Sequence, residues 1–172
     1  MSKKLFLTGE PGVGKTTIFQ KVVSELGDDC AGFYTREMRE DNLRVGFELI
    51  TVNMPIGNGP LAHVNFDKNY QISKYGVDIT HLEKVIAVTK DLFDKNKILI
   101  IDEIGPMETF SEPFKDFIKE VLASDERVLA TIKMTEDPWR DALKNNFNIP
   151  LVTATLENRD KLPQEILNYL RS

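Results

Sequence analysis

The chain has 172 residues, of which 41% are hydrophobic and 28% are charged, a length and balance typical of one globular domain with its own core. A net charge of −5 disfavours nucleic acid and anionic membranes as partners. The single cysteine excludes an internal disulfide, no apolar run reaches the roughly 18 residues of a membrane span, and the start lacks signal-peptide features, so we expect a cytoplasmic protein.

The first elements follow from short apolar runs and helical spacing. Leu5–Thr8 is apolar and bounded by glycine, which predicts a buried strand, and Thr16–Leu26 repeats its apolar residues with the period of a helix. Two further strands are predicted over Gly32–Arg36 and Arg44–Val52. The polar stretch between them contains Asp41-Asn42, which indicates a hairpin.

The second half alternates strands with helices. Residues 53–80 are irregular, with one short strand expected near Leu61–Val64. Helices are predicted over Leu82–Phe93, Phe110–Ala123, Asp137–Lys144 and Leu162–Leu170, and strands over Ile98–Ile101, Val128–Ile132 and Pro150–Thr155. This order predicts an α/β fold: a mainly parallel sheet with helices on both faces and an added antiparallel hairpin. No linker interrupts the sequence, so a single domain is expected over residues 1–172.

Residues Gly9–Thr16 match the phosphate-binding pattern G-x-x-x-x-G-K-[ST] at every fixed position, between a predicted strand and a predicted helix. Glycines let backbone N–H groups wrap closely around a polyphosphate, and the helix that follows directs its positive end at the same group. Lys15 is expected to bind the β- and γ-phosphates, and the Thr16 hydroxyl to be a Mg²⁺ ligand. Thr17 is a candidate for the α-phosphate, or simply a helix-start residue.

Asp102 and Glu103 follow the apolar strand Ile98–Ile101. Ligand sites of parallel sheets lie at the carboxyl ends of strands, so Asp102 is expected to hold Mg²⁺, directly or through water. Glu103, on the opposite side of an extended backbone, is expected to orient or deprotonate a water. Together these residues predict a hydrolytic nucleoside-triphosphatase.

Residues Asp102–Gly105 also fit D-x-x-G, a switch element of small GTPases. The sequence has no N-K-x-D box to read guanine, and Asn158-Arg159-Asp160 is only loosely similar to one. Strict guanine specificity is therefore not expected. A nucleotide or nucleoside kinase acting on a small acceptor, and a non-enzymatic nucleotide-dependent switch, remain alternatives to a hydrolase.

Taken together, these segments resemble the THEP1-type nucleoside-triphosphatase family over essentially the whole chain. The stretches that carry the resemblance are Gly9–Thr16, residues 32–40 (GFYTREMRE), residues 74–78 (KYGVD), residues 101–108 (IDEIGPME) and residues 158–160 (NRD). The resemblance implies a RecA-like variant of the P-loop fold. It also implies Mg²⁺-dependent hydrolysis of ATP, GTP, CTP, UTP and TTP to the diphosphate and phosphate, with broad base tolerance.

The same resemblance carries over two nucleotide-binding segments. They consist of Gly9, Glu10, Pro11, Gly12, Val13, Gly14, Lys15 and Thr16 in the loop, and of Ile101, Asp102, Glu103, Ile104, Gly105, Pro106, Met107 and Glu108 after the strand. At Pro106 the family most often has lysine, so a lysine–phosphate contact is not carried over to that place.

One arginine is a further catalytic candidate. Arg36 ends the GFYTR stretch and could stabilise charge on the transferring phosphoryl group, as arginines do elsewhere, or simply pair with a nearby carboxylate. The expected partners of the protein are nucleoside triphosphates and Mg²⁺. Its oligomeric state is left open, a monomer included.

Overall fold

The computed structural model describes residues 3–172. Its strands are β1 (Lys4–Gly9), β2 (Cys30–Glu40), β3 (Leu43–Val52), β4 (Gly59–His63), β5 (Gln71–Ile72), β6 (Tyr75–Val77), β7 (Ile98–Ile104), β8 (Arg127–Ile132) and β9 (Leu151–Ala154). Its helices are α1 (Lys15–Leu26), α2 (Thr80–Leu92), α3 (Glu112–Ala123), α4 (Pro138–Phe147) and α5 (Leu162–Arg171), with short 3-10 turns at Gly27–Asp29 and Glu108–Phe110.

All these strands form one nine-stranded sheet in the order β5-β6-β4-β3-β2-β7-β8-β1-β9. The five strands from β2 to β9 in this order pair in parallel and make the core of the sheet. The register places Phe6 of β1 beside Ala130 of β8, and Ile101 of β7 beside both Phe33 of β2 and Ala130. The predicted fold class is confirmed.

The antiparallel part of the sheet is larger than the single predicted hairpin. Strands β3, β4, β6 and β5 extend the sheet beyond β2 in antiparallel pairs. Strands β5 and β6 were missed because two and three residues are too few to show an alternating pattern. The β2–β3 strands also run further than predicted, up to a turn at Asp41 and Asn42, where both residues have positive φ angles of 47° and 62°.

Helices cover both faces of the sheet, as predicted. Helices α1 and α5 pack on one face against residues such as Leu5 and Leu7, while α2, α3 and α4 pack on the other against residues such as Phe6 and Phe33. Because side chains of a strand alternate between faces, β1 contributes to both cores. No helix in residues 3–172 is long and apolar enough to cross a membrane.

The start of α3 shows why that helix begins where it does. The Ser111 hydroxyl accepts a hydrogen bond from the Phe114 N–H at 3.2 Å, which satisfies one of the free N–H groups of the first turn. Pro113 stands in that first turn, where its missing N–H is tolerated. The predicted helix start at Phe110 is wrong, since that residue ends a preceding 3-10 turn.

Candidate active site

The predicted site residues gather at one edge of the sheet because their strands run in parallel. Strand β8 lies between β1 and β7, and β2 flanks β7 on the other side. The carboxyl ends of these four strands therefore meet at a common edge, where ligand sites of such sheets form. The loop after β1 and the acidic pair of β7 are separated by one strand only.

The loop Gly9–Thr16 has the backbone conformation of an anion cradle. Gly12 and Gly14 have φ angles of 79° and 106°, a region that residues with a Cβ rarely adopt. Helix α1 begins at Lys15 with no acidic side chain in its first turn, so its positive end is not neutralised. The Lys15 Nζ donates a hydrogen bond to the Gly9 carbonyl at 2.6 Å, which keeps the ammonium group against the loop.

Thr16 and Thr17 occupy the first turn of α1, and both are exposed. Their backbone N–H groups belong to the set that has no partner within the helix. The arrangement leaves two hydroxyls and a free helix end available to a negatively charged ligand.

Asp102 is a buried carboxylate, 6% exposed, held between two neighbouring strands. The Thr131 hydroxyl of β8 donates a hydrogen bond to its Oδ1. On the other side, the Thr35 N–H and hydroxyl of β2 donate to its Oδ2 at 3.4 and 3.5 Å. The sequence placed Asp102 after the strand, but β7 continues to Ile104, so the carboxylate projects from within the sheet. The Asp102–Glu103 peptide bond is cis.

The surroundings of Asp102 contain groups that raise the pKa of its carboxyl and groups that lower it. Burial raises the pKa of Asp102 to about 6, and the charge of Glu103 also raises it, whereas the hydrogen bonds from Thr131 and Thr35 and the charge of Lys15 lower it. The lowering of this pKa by the charge of Lys15 is consistent with the sheet order, which places the acidic pair one strand away from the phosphate loop.

Glu103 lies half-buried next to Asp102, and its side chain rests on Gly105. A Cβ at Gly105 would stand 2.6 Å from the Glu103 Oε1, so a larger residue there would displace this carboxylate from its present position. Glu108 completes the acidic segment and is 3% exposed. The structure thus brings three carboxyl groups together within seven residues, two of them buried.

Arg36 lies further out on the β2–β3 hairpin. Its Nη2 is 2.6 Å from the Glu48 Oε1 of β3, and 55% of its side chain is exposed. Its neighbour Thr35 contacts Asp102, but no described contact links the Arg36 guanidinium to the phosphate loop. A catalytic role for Arg36 stays a prediction, and the pairing with Glu48 is the alternative foreseen for it.

Several residues at this edge of the sheet were not predicted from the sequence. Thr35 and Thr131 support Asp102, and the Thr8 hydroxyl donates to the Ile132 carbonyl at 2.7 Å. Thr8 and Thr131 stand near the ends of buried strands, directly after the apolar residues Leu7 and Ala130. A buried hydroxyl at such a position needs a hydrogen-bond partner, and this requirement could have identified both threonines from the sequence.

The NRD stretch forms a turn that supports the phosphate loop. The Asn158 side chain accepts from the Thr155 N–H at 2.8 Å and donates to the Thr153 carbonyl at 2.9 Å. Arg159, directed by this turn, donates from Nη1 to the Val13 carbonyl at 3.4 Å. The Arg159 guanidinium thereby links the turn after β9 to the phosphate loop.

The residues present would fit a magnesium ion that is also held by phosphate oxygens. No group of three or more His, Cys, Asp or Glu side chains in the described chain could enclose a metal, so an all-protein cage is not on offer. Mg²⁺ in nucleotide enzymes uses one or two protein oxygens and completes its shell with phosphate oxygens and waters. The Thr16 hydroxyl and the Asp102 carboxylate are oxygen donors of this kind.

Comparisons with known proteins agree with this geometry. The family model described as NTPase matches residues 4–167. The chain is 38% identical to the nucleoside-triphosphatase THEP1 of Thermotoga sp. (strain RQ2) over 169 residues, which cover 98% of this chain and 95% of that relative.

Two solved structures have the same fold. The crystal structure of THEP1 from Aquifex aeolicus superposes with a TM-score of 0.87 at 34% identity, covering 98% of this chain and 99% of the other. The solution structure of a human cancer-related nucleoside triphosphatase gives a TM-score of 0.80 at 31% identity, covering 97% and 96%. With the family model spanning nearly its whole length, the chain belongs to the THEP1-type NTPase family.

Proposed function

We propose that the protein hydrolyses Mg²⁺-bound nucleoside triphosphates to the diphosphate and inorganic phosphate. The observation that carries this proposal is the sheet order, which brings the phosphate loop after β1 and the acidic pair Asp102 and Glu103 of β7 to one edge with only β8 between them. The continuous sheet, to which all nine strands belong, supports a single catalytic domain.

Each residue at the edge has a chemical task in this proposal. The amides of the loop and the Lys15 ammonium bind the β- and γ-phosphates. Glu103 orients a water molecule and accepts its proton as the water oxygen bonds to the γ-phosphorus. The bond between that phosphorus and the β–γ bridging oxygen breaks, and the bridging oxygen leaves as part of the diphosphate.

Thr16 and Asp102 are the proposed holders of Mg²⁺. When bound, the ion neutralises negative charge on the β- and γ-phosphate oxygens. Both oxygens of Asp102 already accept hydrogen bonds from Thr131 and Thr35, and these bonds fix the direction in which the carboxylate faces. Thr35 and Thr131 therefore act as supports that keep Asp102 from rotating.

We further propose that the enzyme accepts nucleoside triphosphates with different bases. The side-chain amide of Asn158 bonds to the backbone of Thr155 and Thr153, so it is used in holding a turn rather than in reading a base edge. We therefore expect the triphosphate, common to all substrates, to supply most of the recognition.

A product assay tests the proposed function. Purified protein is incubated with Mg²⁺ and each of ATP, GTP, CTP, UTP and TTP, and released phosphate is measured beside a Lys15→Ala variant. We expect release from all five, with rates within about tenfold of each other and at least about a hundredfold above the variant. Phosphate release no higher than that of the variant, or diphosphate formed only with an added nucleoside or nucleotide acceptor, would refute hydrolysis.

A further inference from the structure

Arg159 lies against the phosphate loop, and the reaction described above assigns no role to it. Its Nη1 donates a hydrogen bond to the Val13 carbonyl at 3.4 Å. A Cβ built on Gly14 would stand 3.8 Å from the Arg159 Cδ, so the stem of the side chain is in contact range of the loop backbone. The side chain therefore follows the last residues of the loop, directly before helix α1 begins at Lys15.

The turn after β9 fixes the backbone from which this side chain starts. The Arg159 N–H donates to the Thr155 carbonyl at 3.0 Å. The Asn158 side chain closes the same turn through the Thr155 N–H and the Thr153 carbonyl. The backbone of Arg159 is thus held by the turn and its guanidinium by Val13. A side chain that is already fixed in this way loses little freedom when a ligand binds to it.

The Arg159 guanidinium is not occupied by an acidic or aromatic partner. No ion pair of residues 3–172 includes it, and no aromatic ring of this part of the chain lies over it. Four of the other arginines do pair with carboxylates: Arg36, Arg39, Arg44 and Arg140. Because Arg159 is also exposed, its charge and its flat surface are available to a ligand of the loop.

The position of Arg159 matches the end of the loop at which a nucleoside would leave. In loops of this pattern the backbone amides hold the α- and β-phosphates, and the lysine reaches the β- and γ-phosphates. The nucleoside is attached to the α-phosphate, for which Thr17 at the helix start is the candidate contact. Gly14, beside which Arg159 lies, stands three residues before Thr17.

A guanidinium is chemically suited to a nucleobase because both groups are flat. Arginine stacks on aromatic faces, and its positive charge is attracted by their π-electrons. Every nucleobase has such a face, so stacking adds affinity without reading the base edge. A contact of this kind is compatible with the broad base tolerance proposed above.

We propose that Arg159 binds the base of the nucleoside triphosphate by stacking its guanidinium on the face of the base. The inference rests on the proposed function, because it requires the triphosphate to occupy the phosphate loop. Purines offer a larger face than pyrimidines, so Arg159 contributes more to the binding of ATP and GTP than to that of CTP and UTP. Inorganic tripolyphosphate has no base and does not benefit from this contact.

Two substitutions and a matched control test the proposal. Arg159→Lys keeps a positive donor for the Val13 carbonyl but removes the flat group, whereas Arg159→Ala removes both. In both variants we expect KM to rise about tenfold for ATP and GTP and about threefold for CTP and UTP, with kcat within about twofold of the wild type. The control is Arg171→Lys, because Arg171 donates to the Glu25 carbonyl near the other end of α1, and it should behave as the wild type.

Tripolyphosphate separates a contact with the base from a contact with the phosphates. Its inhibition constant, measured in competition with ATP, should change less than about twofold in Arg159→Lys. Calorimetric titration with the β,γ-imido analogue of ATP compares the same variants without turnover, and Arg159→Lys should weaken its binding about tenfold.

Several results would overturn the proposal. If Arg159 only held the loop, Arg159→Lys would keep the KM values of the wild type and its affinity for the imido analogue. If Arg159 bound phosphate, Arg159→Lys would weaken tripolyphosphate and the nucleotides by the same factor. Equal losses for purine and pyrimidine triphosphates in Arg159→Lys would also contradict stacking. A wild-type protein that binds the imido analogue but releases no phosphate would instead refute the proposed hydrolysis.

Discussion

Replacing Asp102 by asparagine should stabilise the nucleotide-free protein while removing its activity. Burial is the main reason that the pKa of Asp102 is raised from 3.8 to about 6. One pKa unit corresponds to about 1.4 kcal/mol, so the ionised carboxylate costs the folded protein about 3 kcal/mol above pH 6. An uncharged asparagine does not carry this cost.

Part of that gain is offset by a changed hydrogen bond. The amide oxygen of asparagine can still accept from the Thr131 hydroxyl, but its NH₂ group then faces the Thr35 N–H, which now donates to Asp102 at 3.4 Å. A lost hydrogen bond costs about 1 kcal/mol. The net stabilisation expected at pH 7.5 is therefore about 2 kcal/mol.

The stability difference between Asp102→Asn and the wild type should depend on pH. Since the folded-state pKa of Asp102 is raised, its contribution to stability is fully present below pH 3.8 and is lost as the pH rises through about 6. At pH 4 the wild-type carboxyl is protonated in the folded protein, and the advantage of asparagine should vanish or reverse by about 1 kcal/mol.

Urea unfolding followed by circular dichroism, in EDTA and without nucleotide, measures both quantities. Wild type, Asp102→Asn and the control Asp116→Asn, a change on the exposed side of α3, are compared at pH 4.5, 6 and 7.5. The difference between Asp102→Asn and wild type should grow with pH, and the control should show no such trend. An Asp102→Asn stability difference that stays constant over this range would refute the assigned burial cost.

Three further substitutions probe separate parts of the molecule. Lys15→Ala should weaken nucleotide binding at least about tenfold, because the ammonium that faces the phosphates is gone, and fluorescent-nucleotide titration measures this. Thr131→Val removes the hydroxyl that donates to Asp102 and should raise the Mg²⁺ concentration needed for half-maximal turnover about tenfold, as a metal titration would show. Ser111→Ala removes the cap of α3 and should lower stability by about 1 kcal/mol, seen as a lower Tm at unchanged turnover.

Local signals were sufficient for the elements that carry the phosphate loop. The motif Gly9–Thr16 is recognised from its own residues, the strand before it from a short apolar run and the helix after it from apolar residues at helical spacing. Helix α3 was similarly recognisable, since Ser111 and Pro113 mark its first turn. Features whose cause lies within about ten residues of sequence could therefore be predicted.

The rest depends on neighbours that are distant in sequence. Thr35 and Thr131 support Asp102 only because β2 and β8 flank β7, an order that no local pattern determines. The short strand β6 likewise exists because a longer strand, β4, is there to pair with, and β5 pairs in turn with β6. Glu108 was placed among the nucleotide contacts from its motif, and its burial followed only from the packing of the turn.

The strand order also determines when, during translation, the strands that pair with β1 become available. In the described part of the chain, strand β1 pairs with β8 and β9, and both are translated more than a hundred residues after it. Until then the segment that ends in the glycine-rich loop has no neighbour to align with. A ribosome-bound nascent chain that stops before residue 127 would thus possess the complete loop sequence but no assembled active centre, and capture of nucleotide should mark the moment at which the final strands have been translated.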